Sequence, residues 1–270
     1  MPEGHTLHRL ARTVQRRLRG HTVTSSSPQG RFAGGAAAVD GHELTSAQAW
    51  GKHLLVTFDG VAESVHVHLG LYGSFRFATF DDEPAAPVGQ VRWRLVGDGV
   101  VGDLRGPTAC ELLDPGAVQA LLDRLGPDPL RRGADPDVAW ERISRSRSSI
   151  AGLLMDQSVV AGIGNVYRAE LLFRHGVPPD LPGRDLPHDV WLSMWDDLVD
   201  LMRIGARKGR IETLRAEDDP GRRAGERRSY VYRRVGEPCR VCSTPVAGRV
   251  LAGRNLFWCP TCQSEARVLG

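Results

Sequence analysis

Four of the five cysteines fall in two pairs, Cys239 with Cys242 and Cys259 with Cys262, in the spacing Cys-x2-Cys-x16-Cys-x2-Cys. This is zinc-ribbon spacing. Four thiolates fill a tetrahedral Zn2+ and leave no position open to water, so a single ion held this way would be structural. Disulfides and an iron–sulfur cluster are the other uses the same residues allow. Between the pairs, Gly253-Arg254-Asn255-Leu256-Phe257-Trp258 turns at a glycine and then alternates, the pattern of a hairpin with Arg254 at its tip.

The chain begins Met1-Pro2-Glu3. Once Met1 is removed, Pro2 is a secondary amine whose α-amino pKa of about 8 leaves an unprotonated fraction at neutral pH, whereas a free lysine near about 10.4 is mostly charged. Attack on an aldehyde-like carbon gives an iminium ion, an electron sink, and Glu3 stands beside it to move protons. With Met1 attached, the Pro2 nitrogen is an amide and cannot attack. Proteins beginning Met-Pro are common, so these residues alone leave the chemistry open.

A third group runs from Gln157 to Asn165, Gln-Ser-Val-Val-Ala-Gly-Ile-Gly-Asn. Glycines at 162 and 164 let the backbone pass close to a ligand. Asn165 can cap the next helix with its amide reaching outward, and amides at that helix start suit a phosphate. An ordinary tight link between two helices accounts for the same residues. His66 and His68 share one face of a strand, but without a third ligand in sight they read as packing or hydrogen-bonding residues.

Several elements must position these groups. Leu7, Leu10, Ala11, Val14 and Leu18 recur at helical spacing over 5–19, and Gly20 can end that helix, which places Pro2 and Glu3 near its positive end. From about 21 to 105 the period becomes two. Strands are expected at 53–58, 64–69, 74–77 and 91–96, with Asp59-Gly60 and Asp98-Gly99 as hairpin turns, and the Gly-rich stretch 30–41 is expected as a loop. A short helix is expected at 114–124, then a domain boundary at Gly126-Pro127-Asp128-Pro129-Leu130. Helices follow at 136–143, 149–156, 166–175 and 187–204, and 215–229 is expected as a mobile loop.

The chain has 270 residues, 41% hydrophobic and 25% charged, enough to bury the cores of two domains. No stretch approaches the roughly 20 apolar residues of a membrane span, and the first residues lack the order of a signal peptide, so a cytoplasmic protein is expected. Cys110 reads as a small buried hydrophobe. The net charge of +3 is unevenly spread. Nine arginines (222, 223, 227, 228, 233, 234, 240, 249, 254) against Glu226 and Glu237 in 221–254 suit a phosphate backbone or a solvated face. Lysine occurs only at 52 and 208 among 35 basic residues, which singles out Lys52.

Pro2-Glu3-Gly4, Trp50-Gly51-Lys52, Gln157 to Asn165, Gly236-Glu237-Pro238-Cys239, and Gly253-Arg254 ahead of Cys259-Pro260 occur in this order across nearly the whole chain. Together they resemble the formamidopyrimidine-DNA glycosylase/endonuclease VIII family of DNA repair enzymes, and within it an actinobacterial endonuclease VIII. The resemblance implies a bifunctional DNA glycosylase/AP lyase of base excision repair. Pro2 is implied as the nucleophile at C1′ of a damaged nucleotide and Glu3 as the acid/base. Lys52, on the strand before the domain cleft, Asn165 and Arg254 are implied to hold phosphates beside the lesion. After base loss, β- and δ-elimination cut the strand, without a redox cofactor or magnesium.

Leu71 and Tyr72 look like the wedge that fills the gap left by a flipped nucleotide, with a pair of core residues as the other reading. The family's glutamine before this pair is Gly70 here, and a second carboxylate after Glu3 is replaced around His5-Thr6. The guanine-oxidation branch uses an Arg and a Phe in a later loop. Here Arg105 is followed by Gly106-Pro107, which favours oxidised pyrimidines.

The expected fold is therefore α+β with two domains, an N-terminal antiparallel β-sandwich with flanking helices and a C-terminal helix–two-turn–helix domain with a zinc-finger β-hairpin. The expected division is 1–125 catalytic sandwich, 126–140 linker, 141–235 helix–two-turn–helix and 236–270 zinc finger. One Zn2+, double-stranded damaged DNA clamped between the domains, no membrane, a monomeric state and a nucleoid-associated location complete the expectation. The rival readings are a non-catalytic damaged-DNA-binding protein of the same fold and a zinc-ribbon transcription or topoisomerase-associated module, which makes no use of Pro2, Glu3 or Lys52.

Overall fold

The computed structural model describes residues 2–219 and 228–264. It divides into two compact units, Met1–Arg124 and Leu125–Gly270. In the first, helix α1 (Gly4–Leu18) forms where the apolar residues share one stripe. Leu7, Leu10, Ala11, Val14 and Leu18 are buried, while Arg9, Arg12 and Arg16 are exposed. Each fully buried leucine contributes roughly 1.5–3 kcal/mol, which fixes the helix on the sheet beneath it.

The strands that follow are β1 (Thr24–Ser26), β2 (Leu44–Trp50), β3 (His53–Phe58), β4 (Ser64–His68), β5 (Ser74–Thr79), β6 (Val91–Gly97), β7 (Val100–Arg105) and β8 (Ala109–Leu113). They make two antiparallel sheets, ordered β1-β6-β7-β5 and β2-β3-β4-β8. Leu54, Val56, Val65 and Val67 of one sheet and Phe75, Trp93, Leu95 and Leu104 of the other share a core with α1. Cys110 is buried in it, and burial pushes its thiol up to about 12, so it is inert. Asp98-Gly99 is a two-residue turn as expected, whereas Asp59-Gly60 opens a longer connection to Ser64.

The stretch expected as a loop at 30–41 instead contains helix α2 (Ala33–Val39). Of its two glycines, Gly35 serves packing, since a Cβ there would lie 2.1 Å from the Phe32 ring, while Gly34 faces open space and Ala36 and Val39 face the core. Helix α3 (Pro115–Asp123) begins where the Asp114 side chain accepts from the Ala117 amide.

The second unit holds α4 (Pro136–Ile143), α5 (Ile150–Leu153), α6 (Asn165–Arg174) and α7 (His188–Lys208). Trp191, Met194, Trp195, Leu198, Leu201 and Met202 line the buried face of α7, which Gly209 ends in the left-handed conformation. Residues 126–130 are tied into this unit, since Gly126 N donates to Gln157 O at 2.9 Å and Ala161 N to Pro127 O at 3.1 Å. The unit closes with the hairpin β9 (Ala247–Leu251) and β10 (Arg254–Trp258), whose Leu256 enters the helical core. Among the described residues, no helix is long and apolar enough to cross a membrane.

Of the expected mobile loop 215–229, residues 220–227 lie outside the described part, as do Arg222, Arg223, Glu226 and Arg227 of the basic run. The flanks are tied down: Ala216–Asp218 forms a single 3-10 turn, and the Tyr230 hydroxyl donates to Asp218 at 2.6 Å while accepting from the Arg215 amide at 2.9 Å.

Candidate nucleic-acid interface and metal centre

Glu3 is the N-cap residue of α1 and is fully buried, with Pro2 half-buried just ahead of it. Its side chain does not cap the helix. A carboxylate at this end is favoured by the helix dipole, which disfavours cations there. His5, where a second carboxylate was expected nearby, is itself buried, and burial lowers it to about 4, so it stays neutral.

Lys52 is not on a strand. It is the second residue of the two-residue turn between β2 and β3, where Trp50 pairs with His53 and Gly51 takes φ 55. A turn of this kind needs positive φ at its first position, so Gly51 presents the lysine at the hairpin's end.

Leu71 and Tyr72 are not core residues. They lie in the turn between β4 and β5 and are 45% and 89% exposed. Gly70 takes φ 66, and a Cβ there would fall 1.9 Å from the Thr108 hydroxyl. A side chain at 70, such as the glutamine of the family pattern, would therefore meet Thr108 in this chain.

In the second unit, Gln157 staples the loop between α5 and α6. Its amide donates to Met155 O at 3.1 Å and Ile163 O at 3.0 Å, and its carbonyl accepts from Gly162 N at 3.0 Å. Asn165 is the first residue of α6 and Gly164 is the cap, so the expected capping role is wrong. The Asn165 amide donates instead to the carbonyl of Asn255 at 2.9 Å, and Arg168 donates to that same oxygen at 3.0 Å and to Asn165 Oδ1. Arg168 was missed; the signal was its position three residues on, on the same helix face.

Arg254 is exposed at the first position of β10. The turn before it, Ala252-Gly253, has positive φ at both residues, 47 and 72, which fits the twist of a tight hairpin. Behind it, the buried Glu170 carboxylate accepts from the amides of Tyr230, Val231 and Tyr232 and from the Thr213 hydroxyl at 2.6–2.9 Å. This holds the segment leading into the zinc module.

The basic run reads differently once folded. Arg228 pairs with Asp219, Arg234 is buried against Glu237 and two carbonyls, Arg240 donates to Ser229 O, and Arg249 pairs with Asp180. Of these four, Arg234 is buried and ties its segment together, while Arg228 and Arg249 make partly exposed pairs that add little.

The Sγ atoms of Cys239, Cys242, Cys259 and Cys262 all lie within 4.8 Å of one another. Cys239 and Cys262 are 3.9 Å apart and Cys242 and Cys259 3.4 Å, close to the ~3.8 Å edge of a tetrahedron with 2.3 Å Zn–S bonds. No pair is at the ~2.05 Å of a disulfide. Burial raises the Cys259 and Cys262 thiols, and a cation at the centre relieves that crowding. The site fits one structural zinc.

Three family models match in series: the formamidopyrimidine-DNA glycosylase N-terminal domain over residues 1–109, its H2TH domain over 125–215, and the zinc finger found in FPG and IleRS over 236–264. The chain is 54% identical over 269 residues to Endonuclease 8 1 of Mycobacterium tuberculosis, covering 98% of this chain and 100% of that one. Its fold matches the MutM (Fpg) protein of Thermus thermophilus with a TM-score of 0.78 at 28% identity, over 97% and 98% of the two chains. A MutM solved with carbocyclic 8-oxo-G containing DNA shares the fold, with a TM-score of 0.79 at 22% identity over 98% and 100%. The chain belongs to the formamidopyrimidine-DNA glycosylase/endonuclease VIII family.

Proposed function

We propose that the protein is a bifunctional DNA glycosylase/AP lyase of base excision repair, acting on double-stranded damaged DNA. The observation that carries this reading is the buried Glu3 carboxylate at the start of α1, directly behind Pro2. With Met1 removed, the Pro2 nitrogen forms a bond to C1′ and gives up its proton as the damaged base leaves with the electrons of the glycosidic bond. The C1′–O4′ bond then breaks, O4′ takes a proton and the nitrogen lone pair closes the iminium. Glu3 moves the proton. The iminium then acidifies the C2′ proton; its loss expels the 3′ phosphate, and a second elimination expels the 5′ phosphate.

Lys52, Asn165 and Arg254 hold phosphates, and the exposed Leu71 and Tyr72 fill the gap left by the flipped nucleotide. In this reading 1–125 carries the chemistry, while 141–235 and 236–270 hold DNA. Zinc takes no part in the reaction; its four cysteines keep the hairpin rigid behind Arg254. Oxidised pyrimidines are the favoured bases. The contiguous Leu71–Tyr72 pair supports this, as does Arg105, whose guanidinium is engaged with Asp103 at 2.8 Å and Val88 O at 3.1 Å. The protein acts as a monomer in the cytoplasm, on the nucleoid.

Sodium borohydride should trap protein whose Met1 removal is confirmed by intact mass on a duplex bearing an abasic site, and chemically blocking the N-terminal amine should abolish trapping. Absence of trapping by the processed parent would leave a damage-binding protein without lyase chemistry.

A further inference from the structure

On the face of the β2-β3-β4-β8 sheet opposite the apolar core, His53, His66, His68 and Glu111 lie together. His53 pairs across strands with His68, and His66 with Glu111. The alternating residues Leu54, Val65, Val67 and Cys110 face the core, so the polar set is confined to one side. His66 is buried. Its Nδ1 lies 3.0 Å from Glu111 Oε1, and its Nε2 lies 2.9 Å from His53 Nδ1. The His53 ring stacks on His66, with centroids 5.1 Å apart, and sits at the same distance from His68. His68 Nδ1 accepts from the Gly70 amide at 3.2 Å.

Proton bookkeeping along the chain fixes the tautomers. A carboxylate only accepts, so His66 Nδ1 carries the hydrogen; with one proton on the His66 ring its Nε2 accepts, His53 Nδ1 donates, and His53 Nε2 presents a lone pair. Lys52 is the next residue in sequence, in the turn that opens β3. Burial presses His53 toward the neutral form, helped by His66 and His68 and then by the nearby cations Arg124 and Lys52. Lys52 thus stands at this hairpin end directly before a ring held by the His66 contact.

We propose that Glu111, His66 and His53 form a positioning chain for Lys52, which fixes the His53 ring and tautomer so that the β2–β3 turn presents Lys52 to a DNA phosphate. The inference rests on the phosphate-binding reading of Lys52 given above. Neither His53 nor Glu111 touches DNA in this scheme; both act through Lys52.

A double-mutant cycle tests it, using Kd for a duplex carrying a tetrahydrofuran abasic analogue, read by fluorescence anisotropy. Glu111 is half-exposed, with 53% of its side chain accessible, so Glu111→Ala is expected to keep the parent's melting temperature. It should weaken binding about fivefold beside Lys52 and leave binding unchanged in the Lys52→Gln background, and His53→Ala should behave alike. Ring 15N shifts should show His53 protonated at Nδ1 and bare at Nε2 in the parent, with that preference lost in Glu111→Ala. Equal loss in both Lys52 backgrounds, or the opposite His53 tautomer in the parent, overturns the proposal while the function stands. Failure of the parent itself to bind the abasic duplex removes the functional reading and this one with it.

Discussion

The side-chain amide of Asn165 donates to the backbone carbonyl of Asn255 at 2.9 Å, across ninety residues of sequence. Asn255 follows Arg254 directly, so the loop between α5 and α6 and the zinc hairpin meet one residue from the exposed arginine. Arg168 donates to the same carbonyl, which gives it two partners. The hairpin is thus held at two ends, by the four cysteines at its base and by α6 near its turn.

Removing each support separately should therefore have different signatures. Arg254→Ala is expected to weaken binding to abasic duplex by about tenfold or more, the scale of a lost charged hydrogen bond, with one zinc per chain retained. Asn165→Ala should weaken binding on a similar scale, again with zinc intact. Chelation should lower both binding and melting temperature together. Anisotropy titration with metal analysis of the same samples checks this, and zinc loss in either point variant would contradict the two-support account.

Gly70→Ala should cost about 2 kcal/mol or more. A Cβ would sit 1.9 Å from the Thr108 hydroxyl at a backbone φ of 66, so both a clash and a conformational penalty apply. Adding Thr108→Gly removes the clash and leaves the penalty, so the double variant should recover part of the loss. Calorimetric melting of the four proteins decides it; strict additivity would mean that Thr108 is not the obstacle.

Much of this was readable before the structure. Helix α1 declares itself because one stripe of five apolar residues has nowhere else to go, and the zinc hairpin because metal spacing and period two agree. What stayed hidden depended on distant partners. Helix α2 looks like a loop by its glycines, and the Phe32 ring that accounts for Gly35 is visible only in the fold. Strand β7 has no alternation to detect because Val100, Val101, Gly102, Asp103 and Leu104 are all buried. The arginine run suits a phosphate surface or a solvated face by its charge alone. Among its described members, however, Arg234 is buried against Glu237 close by and Arg249 pairs with the distant Asp180. Asn165 stands out in the sequence beside Gly162 and Gly164, but its hydrogen bond to Asn255 has no local signature.

Glu170→Gln is expected to destabilise the second unit by about 2 kcal/mol or more. The carboxylate takes four hydrogen bonds, from three successive amides and a hydroxyl, with two acceptor oxygens. An amide keeps one acceptor oxygen and turns an NH2 toward donors, leaving buried N–H groups unsatisfied. Amide exchange at Tyr230, Val231 and Tyr232 should accelerate in the variant before global unfolding does. Unchanged exchange at these three positions would show that the anchor is not what holds the segment.

Asp197 sets a pH dependence whose sign can be worked out. Burial alone would raise its pKa, but hydrogen bonds from His175 and from Arg174, at 3.1 and 2.6 Å, outweigh this and hold it at about 2. An unfolded aspartate titrates near about 3.9, so the folded state binds this proton less readily. The stabilisation is therefore complete above about pH 5 and fades as pH falls toward 2, amounting to roughly 2 kcal/mol at neutrality. Asp197→Asn should lose at least that much at pH 6 and about half as much at pH 3. Because variant and parent are compared at each pH, acid release of zinc affects both alike. Urea unfolding at pH 6, 4 and 3 measures the gap, and a gap that does not narrow with acid would mean that the Arg174–Asp197–His175 cluster acts through packing rather than charge.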